Sequence, residues 1–327
     1  MGRLIDGAWH TGSIQAGKDG RWQRSASLLR NWITPDGAPG ISGHGGFKAE
    51  GDRYHLYVAW NCPWAHRTLL FRQLKQLNDI ISVSVVAPRR TDQGWVFEPT
   101  GEFSDDQFDS EALHEIYTRS QPDYTGSVTV PVLWDKATHT IVSNESADII
   151  RMFNSAFATL APPTLDYRPV ALVEAIDDWN QHIYDTLNNG VYKAGFAATQ
   201  EAYETAANKV FETLDTIEHQ LSKTRYLLGD RPTEADWRLF PTLVRFDVAY
   251  YGAFKCNLKR LIDYPNLWSY ARDLYQVTGI AQTVKFDVYR KGYYSPSNLR
   301  NPYGIVPLGP ALNWHIPHGR SSMLQTD

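Results

Sequence analysis

The sequence predicts two folds in series, an α/β domain followed by an all-α domain. The first half alternates short apolar strands with helices, whereas strand signals nearly vanish beyond Ala161-Pro162-Pro163 and helical periodicity takes over. The 327 residues are also long enough for two domains and a sizeable core. We expect an N-terminal arm at 1–50, an α/β domain at 51–160, an all-helical domain at 165–290 and an irregular tail at 291–327.

The arm and the first βαβ unit are distinguished by their periodicity. The first 50 residues are rich in glycine, tryptophan and serine, and we expect an extended arm that packs on the rest. A strand is predicted at 53–59, followed by a helix from about Pro63 to Leu77. Ile80–Val86 is a continuous β-branched run, which is typical of a buried parallel strand. The segment 88–126 is a long polar and aromatic insertion, and such insertions are often functional.

The rest of the α/β domain contains a proline inside a predicted strand. Val128–Trp134 reads as this strand, Thr140–Val142 as a further short strand, and Ser143–Ser146 opens a helix. The order β-α-β, then β-β-α, is the layout of a thioredoxin-like domain. Proline cannot donate a ladder hydrogen bond, so a cis Val130–Pro131 bond that bends the backbone towards Cys62 would explain its position. An edge strand with a trans proline is the alternative.

The second half is predicted to be helical throughout. Apolar residues recur at helical spacing, and Thr233 with Asp236 three residues later forms a capping-box-like start that satisfies orphaned backbone donors. The predicted helices are Val170–Asn188, Glu201–Leu221, one that opens at Thr233, and Asn266–Tyr275.

Cys62, one of only two cysteines, is the candidate nucleophile. Cys62 and Pro63 lie between a predicted buried strand and the helix that follows it, and proline suits the first position of a helix. Cys62 then lies at the N-cap, where free backbone donors and the helix dipole favour the thiolate, which is the nucleophilic form. Position three beyond it is Ala65, so no neighbouring cysteine can resolve a disulfide. The pattern predicts a monothiol site that needs an external thiol; the alternative is a buried, inert cysteine.

Composition excludes several classes of function. A net charge of −4 and a pI near 6.2 give no reason to expect binding to nucleic acid or to an anionic membrane. No stretch approaches the length of a membrane span, and the first residues lack the apolar region of a secretory signal peptide. Because two cysteines argue against a disulfide scaffold, a reducing cytoplasm is the expected compartment. The ten histidines are scattered, so no metal site is expected, and there is no dinucleotide fingerprint or phosphate loop.

Several motifs together resemble one family. Arg53-Tyr-His-Leu-Tyr-Val58 followed by Cys62-Pro-Trp-Ala-His-Arg67 resembles the signature of the glutathionyl-hydroquinone reductases, the Xi class of glutathione transferases. The resemblance spans residues 20–310. It continues through Gly94-Trp95, Thr129–Asp135, Ser143–Ile150, Arg245-Phe-Asp247, Phe254-Lys-Cys256, Asn301-Pro302 and Ile305-Val-Pro307.

The resemblance implies a reaction. In that family the cysteine attacks the sulfur of a glutathionyl-hydroquinone, the hydroquinone leaves, and a mixed disulfide with glutathione remains. A second glutathione then releases oxidised glutathione. The resemblance gives Cys62 this role, with glutathione as a cosubstrate, glutathionyl-hydroquinones as the partners, no permanently bound cofactor, and a homodimer as the assembly.

The same resemblance supplies candidate glutathione-binding residues. Val130 is expected to present its backbone to the cysteinyl part of glutathione, Glu145 to pair with the γ-glutamyl ammonium, and Ser146 with its helix N-terminus to bind the adjacent carboxylate. Trp95 matches the family's glutathione-contacting tryptophan. Glu145 and Ser146 also suit ordinary helix capping, and the two roles are compatible.

Three tyrosines, Tyr192, Tyr250 and Tyr293, match the family's hydroquinone pocket, where hydroxyls stabilise the leaving oxygen and rings hold its flat body. The sequence departs from the family at Ser127, where an arginine is usual, and at Gly292, where a histidine is typical.

Two further hypotheses stay open. An Omega-like thioltransferase or dehydroascorbate reductase uses a similar Cys-Pro helix, and a non-catalytic glutathione-transferase-like module would keep the fold alone. The roles of His66 and Arg67, one turn into the active helix, are also left open: each is suited to stabilising the thiolate or to packing.

Overall fold

The structure is a computed structural model that describes residues 2–12, 16–297 and 300–323. The chain divides into two compact units. The first comprises Met1–Ile14 and Ser25–Leu165, and the second comprises Gln15–Arg24 and Asp166–Asp327. The residues of the predicted arm are therefore shared between the two units.

The first unit is built on a four-stranded mixed sheet. In it β3 (Tyr54–Val58) and β4 (Ile81–Val85) run parallel, whereas β6 (Val132–Asp135) and β7 (Thr140–Ser143) are antiparallel to their neighbours, in the order β4-β3-β6-β7. This arrangement confirms the predicted thioredoxin-like layout. The strands of the unit are β1 (Arg3–Ile5), β2 (Ala8–His10), β3 (Tyr54–Val58), β4 (Ile81–Val85), β5 (Gly126–Ser127), β6 (Val132–Asp135) and β7 (Thr140–Ser143). Its helices are α1 (Pro63–Leu74), α2 (Leu113–Ser120) and α3 (Ser146–Ser155).

The predicted strand at Val128–Trp134 is shorter in the structure. The ladder of β6 starts only at Val132, because Pro131 has no N–H to give to it. The Val130–Pro131 peptide bond is cis, as the sequence predicted.

A second, three-stranded sheet in the order β2-β1-β5 was not predicted. Three-residue strands are too short for a periodicity to show. The chain turns between β1 and β2 at Asp6 and Gly7, whose φ values are +47° and +76°. A two-residue hairpin loop of this type needs positive φ at both of its residues, and Asp-Gly is a pair that favours it. The Asp-Gly pair was therefore the one feature of the sequence that indicated this hairpin.

The second unit is helical, as predicted, with differences in detail. The segment Val170–Asn188 is divided into a 3₁₀ turn (Val170–Leu172), helix α4 (Val173–Ile183) and a π-helical turn (Tyr184–Asn188). A second π-helical turn lies at Phe246–Tyr250. The helices are α4 (Val173–Ile183), α5 (Gly190–Gly195), α6 (Gln200–Leu221), α7 (Glu234–Arg245), α8 (Tyr251–Ala253), α9 (Pro265–Tyr275) and α10 (Phe286–Tyr293), of which α5, α8 and α10 were not predicted.

Capping confirms the predicted start of α7. The Thr233 N–H donates to Asp236 Oδ2 at 2.7 Å, and the reciprocal contact closes the capping box. Within the described part of the chain, no helix combines the length and apolarity that crossing a bilayer requires.

Candidate active site

Cys62 lies where the sequence predicted it, at the N-cap of α1. Its backbone is extended (φ −82°, ψ 119°), and Pro63 opens the helix. The thiol is partly exposed, and its Sγ lies 3.7 Å from the Val130 carbonyl oxygen, where a protonated thiol donates a hydrogen bond. The structure therefore brings Cys62 and Val130 together.

The turn that carries Cys62 is pinned at both ends. Buried β3 ends at Val58, and the Cys62 N–H donates to the Ala59 carbonyl at 3.0 Å, closing a tight turn. The Asn61 side-chain amide donates to the Pro88 carbonyl at 3.1 Å, which ties this turn to the start of the long insertion. A nucleophile on a fixed turn has a fixed direction of attack.

His66 and Arg67 are both buried in the first turns of α1. The Arg67 guanidinium carbon lies 4.6 Å from the centre of the Trp64 ring, within the range of a cation–π contact. Arg67 thus packs within the helix that carries the cysteine.

Tyr117 holds the backbone before the cis-proline and the side chain that precedes Glu145, a role that sequence reasoning missed. Its hydroxyl donates to the Thr129 carbonyl at 2.8 Å and accepts the Thr129 N–H at 3.2 Å. It also accepts from the Asn144 side-chain amide at 3.1 Å. Burial raises the pKa of Tyr117, so the hydroxyl stays protonated and keeps its donor. One buried hydroxyl therefore holds the residues that precede Val130 and Glu145.

Glu145 is the N-cap of α3, and Ser146 is its first residue. One carboxylate oxygen of Glu145 accepts the Ala147 N–H at 3.0 Å, and the other accepts the Ser27 hydroxyl at 3.0 Å. The capping role is therefore present. Ser27 was not singled out in the sequence, because 118 residues separate it from Glu145.

Trp95 is buried in the inserted loop, and its contacts are with that loop and α2. The Arg90 guanidinium carbon lies 4.1 Å from the centre of the Trp95 ring, and the Trp95 carbonyl accepts the Leu113 N–H at 2.9 Å. Ser127 lies in β5 directly opposite Arg3 of β1, so a cationic residue stands across the ladder from it.

The three predicted tyrosines form one cluster in the second unit. The Tyr293 hydroxyl lies 2.7 Å from that of Tyr192 and 3.1 Å from that of Tyr250. Two hydrogen bonds among three hydroxyls use two of their three protons, which leaves one proton to donate outside the cluster. Burial raises the pKa of Tyr250 and of Tyr293, and buried Arg245 opposes that rise. The Tyr250 and Tyr293 hydroxyls are therefore neutral at pH 7.

Sequence reasoning missed the aromatic wall around this cluster. The Phe254 ring stacks on Tyr250 with centroids 5.4 Å apart, and the Trp22 ring lies 6.0 Å from that of Tyr192. Tyr250 ends one π-helical turn, and the other precedes α5, which carries Tyr192. Such turns occur frequently at functional sites, but their sequences read as ordinary helix.

Metal ligation finds no support in the described ranges, 2–12, 16–297 and 300–323, where no group of three or more His, Cys, Asp or Glu side chains is placed to hold an ion.

Comparison with known proteins agrees with this geometry. The family model for the glutathione S-transferase N-terminal domain matches residues 61–156, and the model for the C-terminal domain matches residues 200–273. The glutathionyl-hydroquinone reductase YqjG of Escherichia coli is 54% identical over 323 residues, 98% of either chain. The glutathionyl-hydroquinone reductase PcpF of Sphingobium chlorophenolicum is 45% identical, covering 95% of this chain and 97% of its own.

Solved structures show the same likeness. The glutathione-bound structure of the E. coli protein superposes with a TM-score of 0.90 at 52% identity, covering 98% of this chain and 99% of that one. A Xi-class glutathione transferase from Natrialba magadii superposes with a TM-score of 0.91 at 45% identity, covering 99% and 98%. With a Cys-Pro helix on a thioredoxin-like unit and relatives that match almost its whole length, this chain belongs to the glutathionyl-hydroquinone reductases, the Xi class of the glutathione S-transferase family.

Proposed function

We propose that this protein reduces glutathionyl-hydroquinones to hydroquinones, with glutathione as cosubstrate, through a mixed disulfide on Cys62. The observation that carries the proposal is a partly exposed cysteine at a helix N-terminus, 3.7 Å from the carbonyl of a cis-proline segment. The names of the two relatives that match almost the whole chain support the substrate class.

The reaction proceeds in two balanced steps. The Cys62 thiolate attacks the glutathionyl sulfur; an S–S bond forms, the sulfur–aryl bond breaks, and the aryl carbon takes a proton to give the hydroquinone. A second glutathione thiolate then attacks the mixed disulfide, releasing oxidised glutathione and restoring the Cys62 thiolate. The aryl carbon gains two electrons, one from the thioether sulfur of the substrate's own glutathionyl group and one from the thiol of the second glutathione, and these two sulfurs leave as the disulfide.

The chain has no internal thiol suited to the second step. Cys256 belongs to the other unit and is fully buried, and burial raises its pKa to about 12. It stays protonated, and a protonated thiol does not attack a disulfide. An external thiol must therefore resolve the intermediate, which is why glutathione is both part of the substrate and the reductant.

Glutathione binding is assigned to the first unit. Val130 offers its backbone to the cysteinyl residue, Glu145 its carboxylate charge to the γ-glutamyl ammonium, and Ser146 with the α3 N-terminus binds the neighbouring carboxylate. Trp95 supplies a contact from the inserted loop. Glu145 is held from both sides by hydrogen bonds, so it is already oriented for a ligand.

Hydroquinone binding is assigned to the tyrosine cluster of the second unit. The cluster of Tyr192, Tyr250 and Tyr293 keeps one hydroxyl proton after its two internal hydrogen bonds and donates it to a phenolic oxygen, and this contact strengthens as the oxygen gains negative charge. Buried Arg245 adds a fixed positive charge to that side of the protein.

An Omega-like thioltransferase is the second candidate. A relative named glutathione S-transferase omega-like 2 in Schizosaccharomyces pombe is 44% identical and covers 90% of this chain. Such an enzyme reduces small disulfides or dehydroascorbate faster than aryl thioethers. Comparing kcat/KM for a glutathionyl-hydroquinone and for a small disulfide separates the two. A non-catalytic module would instead leave Cys62 unreactive towards iodoacetamide.

We also propose a homodimer in the cytoplasm. A reduced thiol and a supply of glutathione are needed for turnover, and the cytoplasm provides both. Light scattering at micromolar concentration is expected to give twice the mass of one 37.2 kDa chain. A mass of one chain would contradict the dimer and leave the chemistry unaffected.

The decisive experiment follows both products and the intermediate. Hydroquinone and oxidised glutathione are expected to appear in equal amounts, and intact-mass analysis without free glutathione is expected to show one glutathione per chain, removable by reductant. Cys62→Ser abolishes both, whereas the matched control Cys256→Ala keeps both. Turnover at the native rate by Cys62→Ser would refute the mechanism.

A further inference from the structure

Trp9, on the second strand of the N-terminal hairpin, lies against the loop that carries Trp95. Its indole Nε1–H donates to the Asp92 carbonyl at 2.9 Å. Its ring also stacks on His114 of α2, with centroids 4.8 Å apart and planes at 19°. One side chain from β2 therefore contacts both the inserted loop and the helix that follows it.

The contact reaches the residue next to Trp95. Gly94 has a φ of +79°, and a Cβ added to it would lie 2.9 Å from the Trp9 ring. The ring thus occupies the space above Gly94. The turn itself is closed by two hydrogen bonds between Thr91 and Gly94, at 3.0 and 3.1 Å. A rigid turn with a ring packed on its last residue leaves little freedom to the backbone of Trp95.

The hairpin is itself anchored to the segment that leads to Val130. Leu4 of β1 is fully buried and pairs with Gly126 of β5. In the turn, the Asp6 N–H donates to the Thr125 hydroxyl at 2.8 Å and the Gly7 N–H to the Tyr124 carbonyl at 3.1 Å. Residues 2–10, which we call the N-terminal clasp, thereby tie the inserted loop to the chain just before the cis-proline segment.

We propose that Trp9 is a positioning residue for glutathione binding: the N-terminal clasp holds the loop 91–95 in the geometry that Trp95 needs to contact glutathione. The inference rests on the proposed function, because Trp95 is assigned to glutathione there. Without Trp9 the loop samples other conformations, and the binding energy of glutathione must order it. The apparent Kd for glutathione then equals the intrinsic Kd divided by the fraction of chains whose loop is in the competent conformation.

Glutathione affinity measured on a Cys62→Ser parent tests this directly, because that background removes the chemistry. Calorimetry is expected to give a Kd about tenfold higher for Trp9→Ala. Trp9→Phe keeps the stack on His114 and loses only the N–H donor, so its Kd stays within about threefold of the parent. Trp32→Ala, which removes a tryptophan elsewhere in the first 50 residues, is the matched control and leaves the Kd unchanged.

A positioning role makes two further demands on the active enzyme. Trp9→Ala raises the KM for glutathione and for the glutathionyl-hydroquinone alike, with kcat and the rate of Cys62 alkylation by iodoacetamide unchanged. In a double-mutant cycle, adding Trp9→Ala to Trp95→Ala costs little more than Trp95→Ala alone, because both act through one contact. A general structural defect would instead lower the fraction of protein in which Cys62 can be alkylated. Its effect on glutathione binding would also add to that of Trp95→Ala.

The outcomes are separable. An unchanged Kd for Trp9→Ala, or effects that add fully to those of Trp95→Ala, overturns the proposal. If Trp9→Ala does not fold, His114→Ala removes the same stack with the hairpin intact and is expected to raise the Kd as well. Failure of the wild type to release hydroquinone would refute the proposed function, whereas the calorimetric comparison would still test Trp9.

Discussion

At the scale of single residues, the hydroxyl of Tyr117 is the feature that most constrains the glutathione side of the site. It makes three hydrogen bonds of 3.2 Å or shorter, two with the Thr129 backbone and one with Asn144, and it is fully buried. These partners precede Val130 and Glu145 along the chain, so a single group sets the position of two elements that are distant in sequence. A buried group with this many partners leaves unsatisfied donors behind when it is removed.

Tyr117→Phe is therefore expected to lower the free energy of unfolding by about 1–3 kcal/mol, because the Thr129 N–H and the Asn144 amide lose their acceptor. Glutathione affinity is expected to fall as well. Urea unfolding and calorimetry measure the two effects. Tyr124→Phe is the matched control: its ring lies 5.1 Å from that of Tyr117, but its hydroxyl makes one long bond, at 3.4 Å. Equal effects for the two variants would contradict this account.

Tyr293 is the centre of the tyrosine cluster, since its hydroxyl bonds to both others. Tyr293→Phe removes two hydrogen bonds, whereas Tyr250→Phe removes one. At about 1 kcal/mol for each bond, kcat/KM for a glutathionyl-hydroquinone is expected to fall about fivefold for Tyr250→Phe and more for Tyr293→Phe. Cys62 alkylation stays at the native rate in both. The reverse order, or loss of alkylation, would argue against a substrate-binding cluster.

At the scale of elements, the start of α7 shows how much more a buried cap contributes than an exposed one. Asp236 is fully buried and accepts from the N–H of Thr233, the hydroxyls of Thr233 and Tyr270, and the N–H of Leu227. The N-cap of α6, Thr199, is exposed and accepts one N–H at 3.3 Å. The first cap joins three segments of the unit, and the second satisfies one helix end.

Asp236→Ala is accordingly expected to destabilise the protein by more than about 3 kcal/mol, since several buried donors lose their acceptor. Thr199→Ala is expected to cost about 1 kcal/mol, the usual value for an N-cap. Chemical unfolding, monitored by tryptophan fluorescence, compares them. Similar losses for the two would mean that the buried carboxylate contributes no more than an ordinary cap.

Elements also mark the limit of what the sequence predicts. The Cys-Pro helix start, the capping box and the cis proline are local patterns, and the structure confirms all three. The hairpin of β1 and β2 had only its Asp-Gly turn as a signal, because its strands are three residues long. The π-helical turns could not be predicted, since an i→i+5 bond leaves no distinct residue pattern.

Long-range partners were out of reach for another reason. Ser27 meets Glu145, and Trp9 meets the 91–94 turn, through contacts that depend on how the whole unit folds. Nothing in either residue's neighbourhood in sequence predicts the partner. By contrast, the three tyrosines were found through the family resemblance, and the structure places their hydroxyls in mutual contact.

At the scale of the whole molecule, stability in acid depends on a buried histidine in the central sheet. His55 is fully buried in β3, with Nδ1 2.7 Å from the Ser82 hydroxyl. Burial lowers its pKa from 6.5 to about 3. The unfolded chain therefore binds a proton that the folded protein does not, so the stability present above pH 6.5 is lost as pH falls towards about 3.

The free energy of unfolding is expected to fall by about 1.4 kcal/mol per pH unit from this residue alone between pH 6 and 4. His55→Gln, which does not titrate, removes that slope, whereas His10→Gln, an exposed control, does not. Urea unfolding at a series of pH values measures both. An unchanged slope in His55→Gln would mean that other groups dominate the acid sensitivity.

Because the two cysteines differ in exposure, the rate at which Cys256 is labelled can report how often the second unit opens. Cys62 is open to a small electrophile, whereas Cys256 is sealed in the second unit. Once Cys62 is blocked, a chain takes up further label only at Cys256, and only after its second unit has opened. Pulse labelling followed by mass analysis then yields the opening frequency of the second unit in the native protein, with no probe engineered into the chain.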